Sequence, residues 1–261
     1  MLIVNRLISK LLSFIGLVAI KKSKYDLLVN SNSWHQITQW HDFEENDELK
    51  SYVIENFQKS KSQLSQDLVA HFISGKKING FFVEFGATDG IALSNTFLLE
   101  KEMAWRGILA EPARIWKSSL ENNRSCAIDF GCVHDKSGEK IRFLETELPE
   151  LSSIEDFARN DTWAEERNKS LAYLVDTISL NDLLSKHQAP RFIDYLSIDT
   201  EGSEYNILKA LDFNNYKFGF ITIEHNFSVK RSLICDLLYV NGYKRIYEEV
   251  SKWDDWFIPN L

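Results

Sequence analysis

From residue 81 onward, short apolar runs alternate with segments that have helical periodicity. The apolar runs are rich in β-branched and aromatic residues, as in Phe81–Phe85 and Phe192–Ile198. Strands of this kind that alternate with helices form a mainly parallel sheet with helices on both faces. The alternation therefore predicts a doubly wound α/β fold for most of the chain.

The predicted elements divide the chain into three regions. Strands are predicted at Phe81–Phe85, Gly107–Ala110, Ala127–Cys132, Phe192–Ile198, Phe218–Ile223, Tyr243–Tyr247 and Trp256–Ile258. Helices are predicted near Ser94–Met103, Ala113–Asn122, Ser179–Lys186, Ser203–Leu211 and Ser228–Asn241, with an earlier one in 62–75 that Gly75 ends. We expect an N-terminal segment in 1–24, a helical cap and linker in 25–77 and the α/β domain in 78–261. Residues 152–170 interrupt the alternation, and an insertion of this length is typical of a substrate-binding loop.

The first 24 residues form an amphipathic segment. One helical face carries Leu7, Ile8, Leu11, Leu12, Ile15 and Val18, and lysines follow at 21, 22 and 24. The uncharged run Leu11–Ile20 is shorter than the roughly 20 residues that cross a bilayer as a helix. The pattern predicts a helix on an anionic membrane surface, at the inner face of the cytoplasmic membrane. A helix packed on its own domain or on a partner chain is the alternative.

Composition excludes several functional classes. The chain has 261 residues, 44% of them hydrophobic, and a formal net charge of -8, which argues against a nucleic-acid surface. Its three cysteines, Cys126, Cys132 and Cys235, have no CxxC spacing. They therefore predict neither a zinc site nor a disulfide framework, and they are typical of reduced thiols in a cytoplasmic protein.

The segment "FFVEFGATDGIALSNTFLLE", residues 81–100, begins as a buried strand, breaks at two glycines and continues as a helix. In doubly wound sheets, ligands bind beside the first glycine turn, at the carboxyl ends of the strands. The spacing of Gly86 and Gly90 is G-x-x-x-G, whereas dinucleotide sites have G-x-G-x-x-G. The turn therefore predicts a cofactor other than a pyrophosphate.

A second acid follows the next strand, in "GILAEPARIW". The carboxylate of Glu111 there can accept both hydroxyls of a ribose, while Glu84 and Asp89 add negative charge that disfavours phosphate and favours a cation. S-adenosylmethionine combines a ribose, a sulfonium and an ammonium without phosphate, and we expect it as the cofactor. The alternatives are a buried Glu84 bonded to backbone N–H groups and a Glu111 that is a helix N-terminal charge before Pro112.

Acids also crowd the segment "IDYLSIDTEGSEYNIL", residues 193–208, where a strand ends at Asp199 and the chain turns at Gly202. The next strand ends in Glu224, His225 and Asn226. If these two strands are neighbours, Asp199 and Glu224 point into one cleft beside the glycine turn.

The motifs "VEFGATDG", "SNTFLLE", "GILAEP", "IDYLSIDTEGSEYNIL" and "ITIEHN" together resemble the FkbM-type family of S-adenosylmethionine-dependent methyltransferases over about residues 78–249. The resemblance implies a seven-stranded Rossmann-like methyltransferase sheet with one antiparallel strand near its end. It also implies O-methylation, often of a sugar hydroxyl in a glycan or natural product.

The resemblance carries over to individual positions. Glu84, Gly86 and Gly90 match the cofactor turn, Glu111 the ribose acid, and Asp199 and Glu201 the acidic strand exit. The cofactor-binding residues that we expect are Glu84, Gly86, Ala87, Asp89, Gly90, Asn95, Glu111 and Pro112. After Gly86 the chain has Ala87 and Thr88, where many relatives have Ala-Asn.

Two catalytic arrangements remain open, because an alcohol is a poor nucleophile until a base or a metal assists it. In one, His225 is the general base, oriented by Glu201 or Glu224. In the other, Asp199, Glu224 and Asn226 bind Mg²⁺, an arrangement that resembles catechol-type methyltransferases.

Other side chains are candidates for substrate contacts. Asn95 either contacts the cofactor or caps the first helix. Trp163 and Arg167 either bind a sugar or belong to a solvated helix with salt bridges. The chain has no Pro-Pro and therefore lacks the Asn-Pro-Pro-Tyr-like element of amino-group methylation, which favours an oxygen acceptor. With the resemblance and the net charge, we expect a saccharide acceptor and no nucleic acid.

Two other functional classes are compatible with parts of the pattern. A nicotinamide-dependent oxidoreductase of glycan precursors would share the sheet and Glu111, but it would have the tighter glycine fingerprint and a Tyr-x-x-x-Lys pair. A non-catalytic, membrane-associated binding protein would not need acids at two strand ends.

Overall fold

The computed structural model of the chain describes residues 39–146, 152–155 and 170–260. The predicted helix within residues 1–24 lies outside these ranges, as do Trp163 and Arg167. The chain divides into two compact units, Met1–Asp42 and Phe43–Leu261, and the elements below belong to the second. None of the helices in the described ranges combines the length and hydrophobicity that crossing a bilayer requires.

The described residues contain two sheets. The strands are β1 (Phe81–Phe85), β2 (Arg106–Ala110), β3 (Ala127–Asp129), β4 (Cys132–His134), β5 (Lys140–Glu145), β6 (Ser153–Ile154), β7 (Leu171–Ser179), β8 (Phe192–Ile198), β9 (Lys217–Glu224), β10 (Tyr243–Ile246) and β11 (Asp254–Pro259). The larger sheet has seven strands in the order β10-β11-β9-β8-β1-β2-β3. Only β11 runs antiparallel to its neighbours β9 and β10. The predicted α/β fold with a seven-stranded, mainly parallel sheet is therefore confirmed.

Within the described ranges, helices are present at each place where the sequence periodicity predicts one, and the helices at 47–56 and 248–251 were not predicted individually. They are α1 (Asp47–Asn56), α2 (Gln66–Ile73), α3 (Phe97–Met103), α4 (Lys117–Asn123), α5 (Leu180–Lys186), α6 (Glu204–Ala210), α7 (Arg231–Val240) and α8 (Glu248–Ser251). Side chains cap two of them: Asn46 accepts the N–H of Leu49 before α1, and Ser179 accepts that of Asp182 at the start of α5. Gly75, at φ +73°, follows the end of α2, as predicted.

Both faces of the large sheet are covered. Because alternate residues of a strand point to opposite faces, Leu196 and Ile198 of β8 face one side and Tyr195 the other. The first side packs in one apolar cluster with residues of α5, α6 and α7, including Leu183, Ile207 and Leu238. On the second side, Tyr195 stacks on Phe220 with ring centroids 5.3 Å apart, and α2 packs against β9.

The smaller sheet, in the order β4-β7-β5-β6, was not predicted. Its strands β5 and β7 are half-exposed, so they contain no continuous apolar run of the kind that indicates a buried strand. The single strand predicted at Ala127–Cys132 is wrong. The chain bends at Gly131, whose N–H donates to the Asp129 carboxylate, and β3 and β4 belong to different sheets.

Candidate active site

A cavity of about 450 Å³ opens at the carboxyl ends of β1, β2, β8 and β9. The first residue of β11 reaches the same edge because that strand runs the opposite way. Six carboxylates are among the residues that line the cavity, namely Glu84, Glu111, Asp199, Glu201, Glu224 and Asp254. No lysine, arginine or histidine is among the described residues that line it. The described residues thus give the cavity many hydrogen-bond acceptors and no cationic side chain.

Glu84, on β1, is held by the segment that precedes α3. Its Oε1 accepts the N–H of Asn95 at 2.6 Å, and its Oε2 accepts the hydroxyls of Ser94 at 3.0 Å and Thr96 at 2.5 Å. The buried Arg124 guanidinium lies 3.7 Å from Oε2. Glu84 thus lines the cavity and also fixes residues 94–96, which lead from the glycine turn into α3.

The two glycines of this turn are required by close approaches within the chain. Gly86 has φ +71°, and a Cβ there would lie 2.3 Å from the Asp199 carbonyl oxygen. Gly90 has φ +82°, and a Cβ would lie 2.6 Å from Arg124 Cγ. Gly86 also lines the cavity. Because it has no side chain, the ends of β1 and β8 can contact each other directly beside the candidate ligand space.

Other residues of the predicted cofactor turn lie behind the cavity wall. Ala87 is buried, and its carbonyl accepts the Gly90 N–H at 2.8 Å. Asp89 Oδ1 accepts the N–H groups of Ile91 and Ala92, both at 2.8 Å. Ala87, Asp89 and Gly90 shape the turn, and none of them is among the cavity-lining residues.

Glu111 follows β2 and presents its carboxylate to the cavity, next to the lining residue Pro112. Its Oε2 accepts the Thr88 N–H at 3.0 Å, and its Oε1 accepts the Ala113 N–H at 2.8 Å. Burial raises the pKa of Glu111 to about 7, although these two hydrogen bonds oppose the rise. Each carboxylate oxygen has two lone pairs, so each can accept one further hydrogen bond.

Asn95 crosses from the turn to the sheet. Its Nδ2 donates to the Ser197 hydroxyl at 2.9 Å, and the buried Oδ1 has no hydrogen-bond partner among the described residues. Ser94, rather than Asn95, provides the capping bond, because its Oγ accepts the Phe97 N–H at 3.1 Å. Asn95 lines the cavity, and its Oδ1 is an acceptor that the described residues leave unused.

The strand ends of β8 and β9 bring three acids together. Asp199, Glu201 and Glu224 each place a carboxylate oxygen within 4.8 Å of the other two. Burial raises the pKa of Asp199 to about 6 and that of Glu224 well above its usual range. A hydrogen bond between the two lowers the pKa of Asp199 and raises that of Glu224, so the two carboxyls bind a proton as a pair.

Asp254 is a fourth acid at this end of the cavity, and the sequence analysis missed it. It pairs with Glu224 across β11 and β9, and its Oδ2 accepts the Gln66 Nε2–H at 2.9 Å. Burial raises its pKa to about 7. The sequence feature that could have indicated Asp254 is the pair of acids at the start of the apolar run "DDWFI". The second acid of this pair, Asp255, is bound by Arg231 and Arg245.

His225, predicted as a general base, is not among the residues that line the cavity. Its Nδ1 accepts the Phe227 N–H at 2.9 Å, and its Nε2 lies 3.8 Å from Asp255 Oδ1. Burial lowers its pKa. Asn226, predicted as a metal ligand, does line the cavity, but the acid that groups with Asp199 and Glu224 is Glu201.

Backbone strain is concentrated at this cavity. Non-glycine residues rarely adopt positive φ angles, and they do so mainly at functional sites. Five residues that line the cavity have φ angles between +41° and +60°, namely Thr88, Leu93, Glu201, Asn226 and Phe227. The fold therefore maintains unfavourable backbone conformations around the space where the acids converge.

The pattern that defines the methyltransferase FkbM domain matches residues 84–256, from the acid of β1 to β11. The chain belongs to the FkbM methyltransferase family. The resemblance inferred from the sequence motifs is confirmed, and membership supports methyl transfer as the activity of this domain. No curated protein sequence matches the chain significantly.

Several solved methyltransferase structures are similar to this FkbM-family chain at low identity. The methyltransferase FkbM from Methylobacillus flagellatus KT is 14% identical, with a TM-score of 0.42 over 90% of this chain and 60% of that protein. A precorrin-6y C5,15-methyltransferase from Geobacter metallireducens GS-15 is 10% identical, with a TM-score of 0.40 over 69% and 71% of the two chains. A ribosomal protein L11 methylase from Lactobacillus delbrueckii subsp. bulgaricus is 11% identical, with a TM-score of 0.39 over 76% and 78%. The chain thus spans about 60% of the length of the Methylobacillus protein.

Proposed function

We propose that this FkbM-family chain is an S-adenosylmethionine-dependent O-methyltransferase that acts on a hydroxyl of a saccharide. The observation that carries the proposal is the cavity at the strand ends, which six carboxylates line without a cationic side chain among its described residues. A phosphate-bearing cofactor would be repelled by those of the six side chains that are ionised. S-adenosylmethionine carries a sulfonium, an ammonium and two vicinal ribose hydroxyls, and it has no phosphate.

Glu111 is the residue that we expect to bind the ribose. Its two oxygens each accept one backbone N–H, from Thr88 and Ala113, and each retains one acceptor site toward the cavity. Two free acceptor sites on one carboxylate fit two neighbouring hydroxyls. Thr88 thereby fixes the orientation of the Glu111 carboxylate rather than contacting the ribose itself.

The positively charged part of the cofactor is expected toward β8 and β9. Asp199 and Glu84 supply carboxylates on that side, and Asn95 Oδ1 supplies the acceptor that no described residue uses. Ammonium groups donate three hydrogen bonds and carry a positive charge, so nearby ionised acids and an unused amide oxygen suit such a group. These residues fit S-adenosylmethionine, which supplies an electrophilic methyl group when it is bound.

Asp199 is the base that we propose for the acceptor hydroxyl. An alcohol needs assistance because its proton must leave as the oxygen attacks. The hydrogen bond lowers the pKa of Asp199 and raises that of Glu224, so Asp199 is the member of the pair that ionises more readily and can accept the proton. Glu201 lies within 4.8 Å of both carboxylates and adds the negative potential that favours proton uptake.

A Mg²⁺ ion is the alternative to a shared proton. Asp199, Glu201 and Glu224 offer oxygen ligands, which this ion prefers. A cation there would release the proton of the pair and orient an acceptor hydroxyl directly. Treatment with a chelator separates the two mechanisms, because only the metal mechanism loses turnover and regains it when Mg²⁺ is restored. The variant Asp199→Asn stops turnover under either mechanism.

The test of the cofactor site is calorimetric titration of Glu111→Ala with S-adenosylhomocysteine. We expect affinity to fall by about 100-fold or more, since two hydrogen bonds to a charged group together contribute roughly 3 kcal/mol or more. Glu121→Ala is the control, because Glu121 is exposed on α4 and does not line the cavity. Equal affinity of Glu111→Ala and the wild type, with the folded state verified by circular dichroism, contradicts the assignment.

A further inference from the structure

Phe227 is the most exposed large apolar residue of the described cavity wall. Its side chain is 72% exposed although the residue lines the cavity, and its backbone has φ +56°. A bulky side chain in this backbone region costs roughly 1–2 kcal/mol. An aromatic ring that a strained backbone holds in solvent beside a cavity is available for a ligand.

His225 determines where this ring points. Its Nδ1 accepts the Phe227 N–H at 2.9 Å, and the two rings are in edge contact with centroids 5.2 Å apart. An imidazole nitrogen that accepts a hydrogen bond carries no proton, so the proton of the neutral ring is on Nε2. Nε2 in turn faces Asp255 Oδ1 at 3.8 Å. The histidine that the sequence analysis assigned to catalysis thus contacts the aromatic residue instead of the cavity.

Trp253 fixes the same turn from the other side. Its carbonyl accepts the N–H groups of His225 at 2.9 Å and Asn226 at 3.3 Å, and the residue itself lines the cavity. Leu93 also lines the cavity and is 49% exposed. The mouth is therefore apolar at Leu93, Phe227 and Trp253, whereas the wall further in is acidic.

The apolar mouth and the acidic wall together indicate the chemical class of the ligand. Asp199, Glu201, Glu224 and Asp254 accept hydrogen bonds, so they favour a molecule with several O–H donors. An aromatic ring at the mouth favours a molecule with a flat, apolar face. A pyranose ring has both features, because its hydroxyls radiate from the rim and its axial C–H groups form one apolar face.

We infer that Phe227 is an acceptor-binding residue that packs against the C–H face of a sugar ring, and that His225 is the residue that positions it. The inference rests on the proposed function. It assigns His225 a role through its Nδ1 acceptor and not through proton transfer. An amide side chain at position 225 keeps an acceptor near the Nδ1 position and therefore preserves the orientation of the Phe227 ring. An aliphatic side chain of similar size lacks the acceptor and does not preserve it.

The experiment uses saturation-transfer NMR on the full chain saturated with S-adenosylhomocysteine. The probes are a set of methyl pyranosides, D-glucitol as an acyclic polyol without a ring face, and octyl β-D-glucopyranoside. The variants are Phe227→Ala, His225→Leu and His225→Asn. Val229→Ala is the matched control, because Val229 is 94% exposed in the same loop and does not line the cavity.

We expect transfer to the ring C–H protons of at least one methyl pyranoside and little transfer to D-glucitol. The dissociation constant of that pyranoside rises at least fivefold in Phe227→Ala and His225→Leu. It stays within twofold of the wild-type value in His225→Asn and Val229→Ala. Calorimetry with S-adenosylhomocysteine gives the same affinity in all four variants.

Several results overturn the inference. Unchanged pyranoside affinity in Phe227→Ala removes the stacking role, and equal losses in His225→Asn and His225→Leu remove the positioning role. Saturation transfer to the octyl chain alone, or to none of the saccharides, would show that the mouth of the cavity does not bind a sugar ring. If the wild type fails to bind S-adenosylhomocysteine, the proposed function fails together with the inference; normal binding with unchanged saccharide signals refutes the inference alone.

Discussion

The carboxylates of the cavity differ in how many of their lone pairs the protein uses. Glu84 receives three hydrogen bonds and lies beside Arg124, so it has little capacity left. Glu111 receives two, and Asp199 shares a proton with Glu224. The capacity of each acid to bind a ligand therefore follows from its neighbours and not from its place in a sequence motif.

Asp254 leads to a prediction about pH and stability. Its pKa is about 7 in the folded protein because burial disfavours the anion, and 3.8 is the ordinary value. Between these pH values the folded state keeps a proton that the unfolded state has released, so the contribution of Asp254 to stability falls as the pH rises from about 4 to 7.

The variant Asp254→Asn cannot ionise, and its amide oxygen can still accept from Gln66 and Trp256. We expect it to exceed the wild type in free energy of unfolding at pH 8 by up to roughly 4 kcal/mol. The difference shrinks toward pH 4. Urea unfolding at both pH values measures it, with Asp212→Asn at an exposed position as the control. A difference that does not change with pH contradicts the buried, proton-bound carboxyl.

At the scale of elements, the turn after β1 depends on the contact between two strand ends. Gly86 and Gly75 have nearly the same φ angles, +71° and +73°. A Cβ at Gly75 meets no atom within 4 Å, whereas one at Gly86 lies 2.3 Å from the Asp199 carbonyl oxygen. Comparing alanine variants at the two positions therefore separates the free-energy cost of the left-handed backbone conformation from that of the steric collision.

We expect Gly75→Ala to lower the free energy of unfolding by about 1–2 kcal/mol, the cost of the left-handed conformation alone. Gly86→Ala should lower it by about 3 kcal/mol or more, since the strand ends must also move apart. Denaturant titration of both variants gives the two values. Equal losses would show that the close approach to Asp199 contributes nothing.

The central elements were predictable because burial on both faces gives strands a continuous apolar run. The predicted bounds of Phe81–Phe85 and Phe192–Ile198 agree with the structure. The smaller sheet was missed because β5 and β7 expose many of their side chains. A half-exposed strand has a weaker pattern, and its pairing partners are distant in the sequence.

The candidate site was predictable only in part for a related reason. Asp199 and Glu224 were paired correctly because consecutive parallel strands β8 and β9 are neighbours. Asp254 was missed because it enters the site from an antiparallel strand, at its first residue and not its last. The side chain of His225 was misplaced because sequence order does not determine which way a residue after a strand points.

At the scale of the whole molecule, the acidic cavity and the basic, amphipathic segment 1–24 predict different partners. We propose that the protein acts in the cytoplasm and contacts the membrane surface through this segment. In vesicle flotation, the full chain should bind vesicles that contain anionic lipid and not neutral ones. Reversing the charge of Lys21, Lys22 and Lys24 should abolish binding, while binding of S-adenosylhomocysteine is unchanged. The prediction is refuted if the full chain floats with neutral vesicles, or if it floats with neither kind of vesicle.

The central claim is that the cavity at the strand ends binds a cation-bearing nucleoside without phosphate. Calorimetric titration of the wild type with S-adenosylmethionine, S-adenosylhomocysteine, NAD⁺ and NADP⁺ tests it most directly. We predict saturable one-site binding of the two sulfur nucleosides and no heat from the nicotinamide cofactors. Binding of a nicotinamide cofactor without binding of S-adenosylmethionine would contradict the account.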